Sequence, residues 1–177
     1  IAKILENEPA FRLKQIKKAV FNDLVEGWDE ATTLPLALRE KLQADCSISE
    51  LEAEKTLTSK DGDTLKVLFL AKDGSKIESV LIKHADQRNT VYVSSQVGCS
   101  VRCQFCATGE LGFKRNLSDS EIVDQVLYFA RLLKKDGAKV TNVVFMGMGE
   151  PFLNYENVLG AIKTLNEKEG FNLGARH

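Results

Sequence analysis

Between Glu52 and Gln96 the apolar residues fall at alternate positions, and this period of two commits the middle of the chain to a sheet. Four runs carry it: residues 54–58, 64–70, 76–82 and 90–94. Asp61-Gly62 and Asp73-Gly74 separate the first three and predict hairpin turns, so the runs form a small antiparallel sheet. The flanking sequence follows other rhythms. Toward the N-terminus, Phe11, Leu13, Ile16, Ala19, Val20 and Leu24 make one helical stripe that Gly27 ends, and residues 34–42 make a second, short helix opened by Pro35. Toward the C-terminus, Ser118 and Glu121 form a capping box ahead of the stripe Ile122, Val123, Val126, Leu127, Ala130 and Leu133. The nearly continuous apolar run 140–146 has strand length and suits a parallel sheet covered on both faces. Val158, Leu159, Ile162 and Leu165 mark a further helix. Strand, helix, strand, helix is the opening of a parallel α/β domain, with run 90–94 entering it.

Composition narrows the function. The 177 residues are 44% apolar and 28% charged, the balance of a globular protein of one domain plus a small appendage. Lys and Arg number 24 against 25 Asp and Glu, a net charge of -1, so any nucleic-acid surface must be a local patch. No apolar run reaches the ~20 residues of a membrane span and no signal peptide opens the chain, which reads as cytoplasmic and without a membrane partner. The chain starts at Ile1 and stops at His177 just after a turn-like stretch, and reads as a fragment.

Cysteine usage is the sharpest chemical signal. Cys99, Cys103 and Cys106 put three thiolates on one short segment, a soft donor set for zinc, copper(I) or an iron–sulfur cluster. Structural zinc prefers four ligands, and neither His84 nor His177 has finger spacing from the cysteines. With three thiolates, a four-iron cluster keeps one iron free for a substrate's amino and carboxylate groups. Cys46 stands apart and reads as a half-buried small apolar residue.

The spacing Cys99-x3-Cys103-x2-Cys106, with Phe105 before the third Cys, resembles the signature of the radical S-adenosylmethionine (SAM) superfamily. More narrowly, residues 93–99, Cys106-Ala107-Thr108-Gly109, residues 112–117 and Met146-Gly147-Met148-Gly149-Glu150-Pro151 resemble the RlmN/Cfr family of RNA adenosine methyltransferases. Pro9-Ala10-Phe11-Arg12 and Leu34-Pro35-x-Ala37-Leu38-Arg39 resemble that family's N-terminal helical domain.

The resemblance implies an α/β chain in three parts: residues 1–48 as a helical RNA-recognition domain, 49–84 as a small antiparallel β segment, and 85–177 as the first βα units of a partial (β/α) radical SAM barrel. It implies that Cys99, Cys103 and Cys106 bind a [4Fe–4S] cluster, that SAM chelates the fourth iron, and that Gly149 and Glu150 contact the SAM amino group. Phe105 is expected to pack near the cofactor or in the core. Glu78, which alone reads as an exposed strand carboxylate, becomes the general base for the adenosine ring proton.

The implied reaction is methylation of an adenine at carbon 2 in 23S rRNA, with tRNA as a further candidate substrate, with two SAM molecules, a methyl-carrying Cys beyond His177 and an electron donor such as flavodoxin. The fragment alone is expected to be inactive and monomeric. A carbon-8 methylating relative and a non-catalytic iron–sulfur or zinc RNA-binding module are the alternatives. One departure stands out: seven positions before the first cluster Cys, where the family carries a Cys that forms a disulfide with the methyl carrier, this chain has Tyr92, which has no thiol to exchange. Arg12, Lys14, Lys17 and Lys18 on the first helix, and Lys114-Arg115 after the cysteines, are candidate phosphate contacts or simply solvated faces.

Overall fold

The computed structural model describes residues 2–6 and 8–174; Ile1 and His177 lie outside the described residues. A 3₁₀ turn (Ala2–Leu5) leads into α1 (Phe11–Lys17), a π-helical turn (Lys18–Asn22), a 3₁₀ turn (Trp28–Glu30) and α2 (Leu36–Asp45). Three long strands follow, β1 (Leu51–Thr58), β2 (Thr64–Ala71) and β3 (Lys76–Lys83), then β4 (Asn89–Tyr92) and β5 (Gln96–Gly98). After the cysteine segment come α3 (Ala107–Glu110), β6 (Phe113–Asn116), α4 (Asp119–Lys135), β7 (Asn142–Val144) and, behind a 3₁₀ turn, α5 (Tyr155–Asn166). Among the described residues no helix is long and apolar enough to cross a membrane.

The strand order β1-β2-β3-β4-β7 makes one five-stranded sheet, and β5 with β6 makes a separate two-stranded ribbon. β1 to β4 are antiparallel neighbours, while β7 joins β4 in parallel with Val91 opposite Val143. The antiparallel hairpins and the parallel α/β opening therefore share a single sheet. The outer strand β1 is exposed along nearly its whole length, and its register slips by a bulge between Ala53 and Lys55.

Two cores hold the chain. In the larger one, Val67, Phe69, Ile77, Leu81 and Val91 of the sheet meet Ile122, Val126, Phe129 and Leu133 of α4. The Phe69 ring stands edge-on to Tyr128 and Phe129, with centroids 5.1 and 6.4 Å away. The capping box works as its sequence dictates: Ser118 Oγ accepts from the Glu121 amide at 3.2 Å and a Glu121 carboxylate oxygen accepts from the Ser118 amide at 2.8 Å. The smaller core gathers Ile16, Ala19, Trp28, Leu34, Leu38 and Leu42 of the N-terminal helices, with Trp28 Nε1 donating to the Cys46 carbonyl at 2.7 Å.

The first helix departs from its predicted single stripe. It widens into the π turn, where the Asp23 amide reaches the Lys18 carbonyl, and Leu24 rather than Gly27 reverses the chain, at φ 53°. The extra residue rotates the stripe, so Ile16 and Ala19 face the smaller core, Phe21 and Leu24 pack on the larger, and Val20 touches both. The run 140–146 also differs from expectation: only Asn142–Val144 is strand, half-buried, because β7 lies at the sheet edge and has β4 as its one strand partner among the described residues.

Asp124 of α4 joins the two units. One of its carboxylate oxygens accepts from Ser49 Oγ at 2.7 Å and from the amides of Glu50 and Leu51, both at 2.9 Å, at the entry to β1. Burial pushes this carboxyl above the ordinary carboxylate range despite those bonds.

Candidate functional site

The site grows from residues 93–98, which leave β4, run through the interior and end at Cys99. Residues 93–95, buried between β4 and β5 and outside regular structure, must find partners for their peptide groups, and here side chains provide several of them. Gln125 accepts from the Ser94 amide at 2.8 Å and donates to the Ser94 carbonyl at 3.0 Å; Asn154 donates to the carbonyls of Ser95 and Leu117 at 2.7 and 2.8 Å. The Met148 carbonyl accepts from the Ser95 and Gln96 amides at 2.8 and 3.2 Å. Sequence patterning missed Ser94, Gln96, Gln125 and Asn154. The available signal was the polar triplet Ser94-Ser95-Gln96 directly after an apolar strand.

Each predicted residue has a definite place around this segment. Cys99 is buried, and its amide donates to the Gly112 carbonyl at 3.1 Å across the β5–β6 ribbon. Gly98 before it sits at φ +74°, and a Cβ there would lie 1.7 Å from the Gly112 oxygen, so the approach of the two strands requires glycine. Cys103 is exposed on the loop and Cys106, partly buried, precedes α3; neither is in a disulfide. The Thr108 amide, then the Gly109 amide and the Thr108 hydroxyl, hold the Cys106 thiol below its ordinary pKa.

Gly149 has φ +95°, and the Glu150 amide after it donates to Gln96 Oε1 at 2.9 Å. Glu78 stands on β3 beside the same loop: its carbonyl accepts from Ser94 Oγ at 2.5 Å, while that Oγ accepts from the Met148 amide at 2.8 Å. Its half-exposed carboxylate pairs with Lys66 Nζ at 2.9 Å. Cys99, Gly149, Glu150 and Glu78 thus meet around one buried segment, although they span more than 70 positions of sequence.

The donor set suits a multi-iron cluster. Three free soft thiols, Cys99, Cys103 and Cys106, share one loop, and thiolates are the ligands such a cluster takes. Cys46 stands apart, in the linker between α2 and β1. Tyr92 ends β4 with its carbonyl accepting from Ser79 Oγ at 2.6 Å. Phe105 is 93% exposed and packs neither in the core nor beneath the loop.

The basic residues are largely neutralised within the chain. On α1 and the turn after it, Arg12 pairs with Glu8, Lys14 with Glu169, Lys17 with Glu167 and Lys18 with Asp23. Arg115 bonds Asp73 at 2.6 Å and both oxygens of Glu121 at 2.9 and 2.8 Å, pinning the β2–β3 turn to the ribbon. Lys114 remains exposed beside the cysteine loop.

The Arg115 pairs carry a pH prediction. Arg115 holds Asp73 well below the carboxylate range; for Glu121, burial works upward, but the Arg115 bonds and the Ser118 amide leave it lowered. A depressed carboxyl stabilises the fold above its unfolded pKa, about 4 for these groups, and loses that contribution as the pH falls through its folded value. Arg115→Met therefore lowers the urea midpoint at about pH 7, and the gap from the parent narrows progressively as the pH falls below about 4. A gap that persists at the acid end would assign the loss to packing instead.

The arrangement meets its counterpart in known proteins. A model of the radical SAM superfamily matches residues 93–176, the stretch that carries the cysteine loop and the Gly149-Glu150 turn. This stretch is a radical SAM domain. The chain is 45% identical over 174 residues to a Chloroflexus aurantiacus protein named "Probable dual-specificity RNA methyltransferase RlmN", covering 96% of this chain and 46% of the relative. It is 41% identical to the "Ribosomal RNA large subunit methyltransferase N" of Nitrosopumilus maritimus, covering 94% of this chain and 50% of that one. A crystal structure of a radical SAM methyltransferase from Sphaerobacter thermophilus superposes with a TM-score of 0.93 at 43% identity, over 97% of this chain and 50% of that one. The chain spans about half the length of the curated relatives it matches. Its likeness to them includes the N-terminal helices and the antiparallel strands, which the radical SAM match alone leaves out.

Proposed function

We propose that this chain carries the cluster and SAM-contact half of an RNA adenine methyltransferase site. The observation that carries the reading is the meeting of Cys99, Gly149-Glu150 and Glu78 around residues 93–98, with Cys103 and Cys106 on the same loop as Cys99. Cys99, Cys103 and Cys106 would hold a [4Fe–4S] cluster. A cluster held by these three residues would supply the single electron that reductive cleavage of SAM requires.

The residues of the chain do the rest. Gly149 brings backbone close to the site and Glu150 presents a carboxylate suited to an ammonium group. The Glu78 carboxylate takes the ring proton of the adenine at Oε1 or Oε2, with Lys66 holding its orientation. The RNA is 23S rRNA and tRNA, methylated at carbon 2 in a two-SAM scheme, with flavodoxin or a similar donor and a monomeric protein in the cytoplasm. The relatives' names support the RNA substrate. Cys46, the remaining cysteine, is paired by position with the helical unit, so the methyl carrier of that scheme is assigned to none of the four cysteines here. The residues proposed to divide the chain are 1–48, 49–84 and 85–177.

The test is anaerobic reconstitution of the chain with iron and sulfide. About four irons per chain are expected, with a reduced-cluster spectrum that changes on adding SAM. Uptake of one zinc in preference, with no spectral response to SAM, would replace this reading with a metal-binding RNA module.

A further inference from the structure

Gln96 is 1% exposed, yet both ends of its side-chain amide are committed. Oε1 accepts from the Glu150 amide at 2.9 Å and Nε2 donates to Asn116 Oδ1 at 2.8 Å, across the β5–β6 ribbon where the two residues are register partners. The donor at Glu150 fixes which way the amide faces, because only the oxygen can receive a backbone N–H. The stem of the same side chain forms the floor under Gly149: a Cβ added there would lie 2.4 Å from Gln96 Cβ and 2.7 Å from Cγ. Three residues further along the strand is Cys99.

We infer that Gln96 is a positioning residue, which sets the Gly149-Glu150 peptide at a fixed distance and orientation from the cysteine loop so that SAM meets both at once. The inference rests on the proposed function. Backbone bonding alone does not do this work: the Ser95 and Gln96 amides hold the loop at the Met148 carbonyl, two residues short of the carboxylate-bearing peptide. Among the described residues of the 93–98 segment, the Gln96 side chain alone bonds Glu150, whose other partners, the Phe152 and Leu153 amides, belong to its own turn. Asn116 in turn restrains the amide, and its own Nδ2 points to the Leu153 carbonyl at 3.4 Å, so the ribbon and the turn after Glu150 are tied through one polar chain. Ser94 has a separate task, since its hydroxyl links the loop to Glu78.

The test compares the reconstituted parent chain with Gln96→Met, which keeps length and apolar bulk but removes the amide, and with Asn116→Ala, which leaves the Glu150 bond in place but unties the amide. Iron content, thermal midpoint, SAM affinity by equilibrium dialysis and the SAM-induced change in the reduced-cluster EPR spectrum are read for each. Gln96→Met is expected to hold the parent's iron while binding SAM about 10–100-fold more weakly, with the EPR change lost and the midpoint lowered only by the few degrees that an unpaired Glu150 amide costs. Asn116→Ala is expected to weaken SAM binding about threefold, in line with a more distant contact. Parent-like SAM binding in both variants overturns the inference. So does a parallel fall of iron, midpoint and SAM affinity, which would make Gln96 a scaffold residue only. A parent chain that binds neither cluster nor SAM overturns the functional reading and this inference with it.

Discussion

Replacing Cys99, Cys103 or Cys106 singly with Ala is expected to reduce iron uptake from about four per chain to below about one, whereas Cys46→Ala leaves it at the parent level. The contrast follows from placement. The three cysteines share one loop whose ends are fixed, at Cys99 by the Gly112 carbonyl and at Cys106 by the first turn of α3. Removing one thiolate leaves two anchors on a loop otherwise open to solvent, and the exposed iron is then lost to water or oxidation. Cys46 is held by the helical unit through the Trp28 bond to its carbonyl, a contact that its side chain does not make. Iron and sulfide determination after desalting gives the result. Full iron content in Cys99→Ala, or loss of iron in Cys46→Ala, would remove the assignment of the ligands.

The second large effect is on stability. Phe69 is 1% exposed and its ring fills the space between the sheet and α4 against Tyr128 and Phe129. Phe69→Ala is expected to cost about 3–5 kcal/mol and to lower the thermal midpoint by about 10 °C. The chain has one tryptophan, Trp28, and it lies in the smaller core, so its fluorescence reports the helical unit while far-UV circular dichroism reports the whole. Val20 is packed against both cores, and Asp124 binds the linker between them. Both probes should therefore shift together. A fluorescence transition that stays at the parent temperature would show the helical unit melting on its own.

Much of this was legible in the sequence where one residue type meets one local rule. Alternation located β1 to β4, Asp61-Gly62 and Asp73-Gly74 located the hairpins, and Ser118 with Glu121 located the start of α4. The cysteine spacing and the Gly149-Glu150 turn pointed to the radical SAM superfamily before any geometry. What escaped was whatever depends on partners distant in sequence. Gln96 and Asn154 are ordinary polar residues until their side chains are seen satisfying peptide groups of residues 95–150. The π turn escaped because one apolar stripe predicts one buried face, whereas Phe11 and Leu13 stay exposed and two different cores take up Ile16 to Leu24. The acidic partners of the basic first helix were equally out of reach, since Glu167 and Glu169, which pair with Lys17 and Lys14, lie 150 and 155 positions away.

The slipped register of β1 bears on how the molecule behaves in a crowd. An outermost strand offers its unpaired peptide groups to any neighbouring chain, and a long flat one invites sheet-to-sheet growth. Here the bulge between Ala53 and Lys55 breaks the flat edge near its middle, and Glu52, Glu54 and Lys55 set charges along the same stretch. An incoming strand would meet a kink and fixed charge where it needs an even row of donors and acceptors, so this side of the sheet resists aggregation by its own shape.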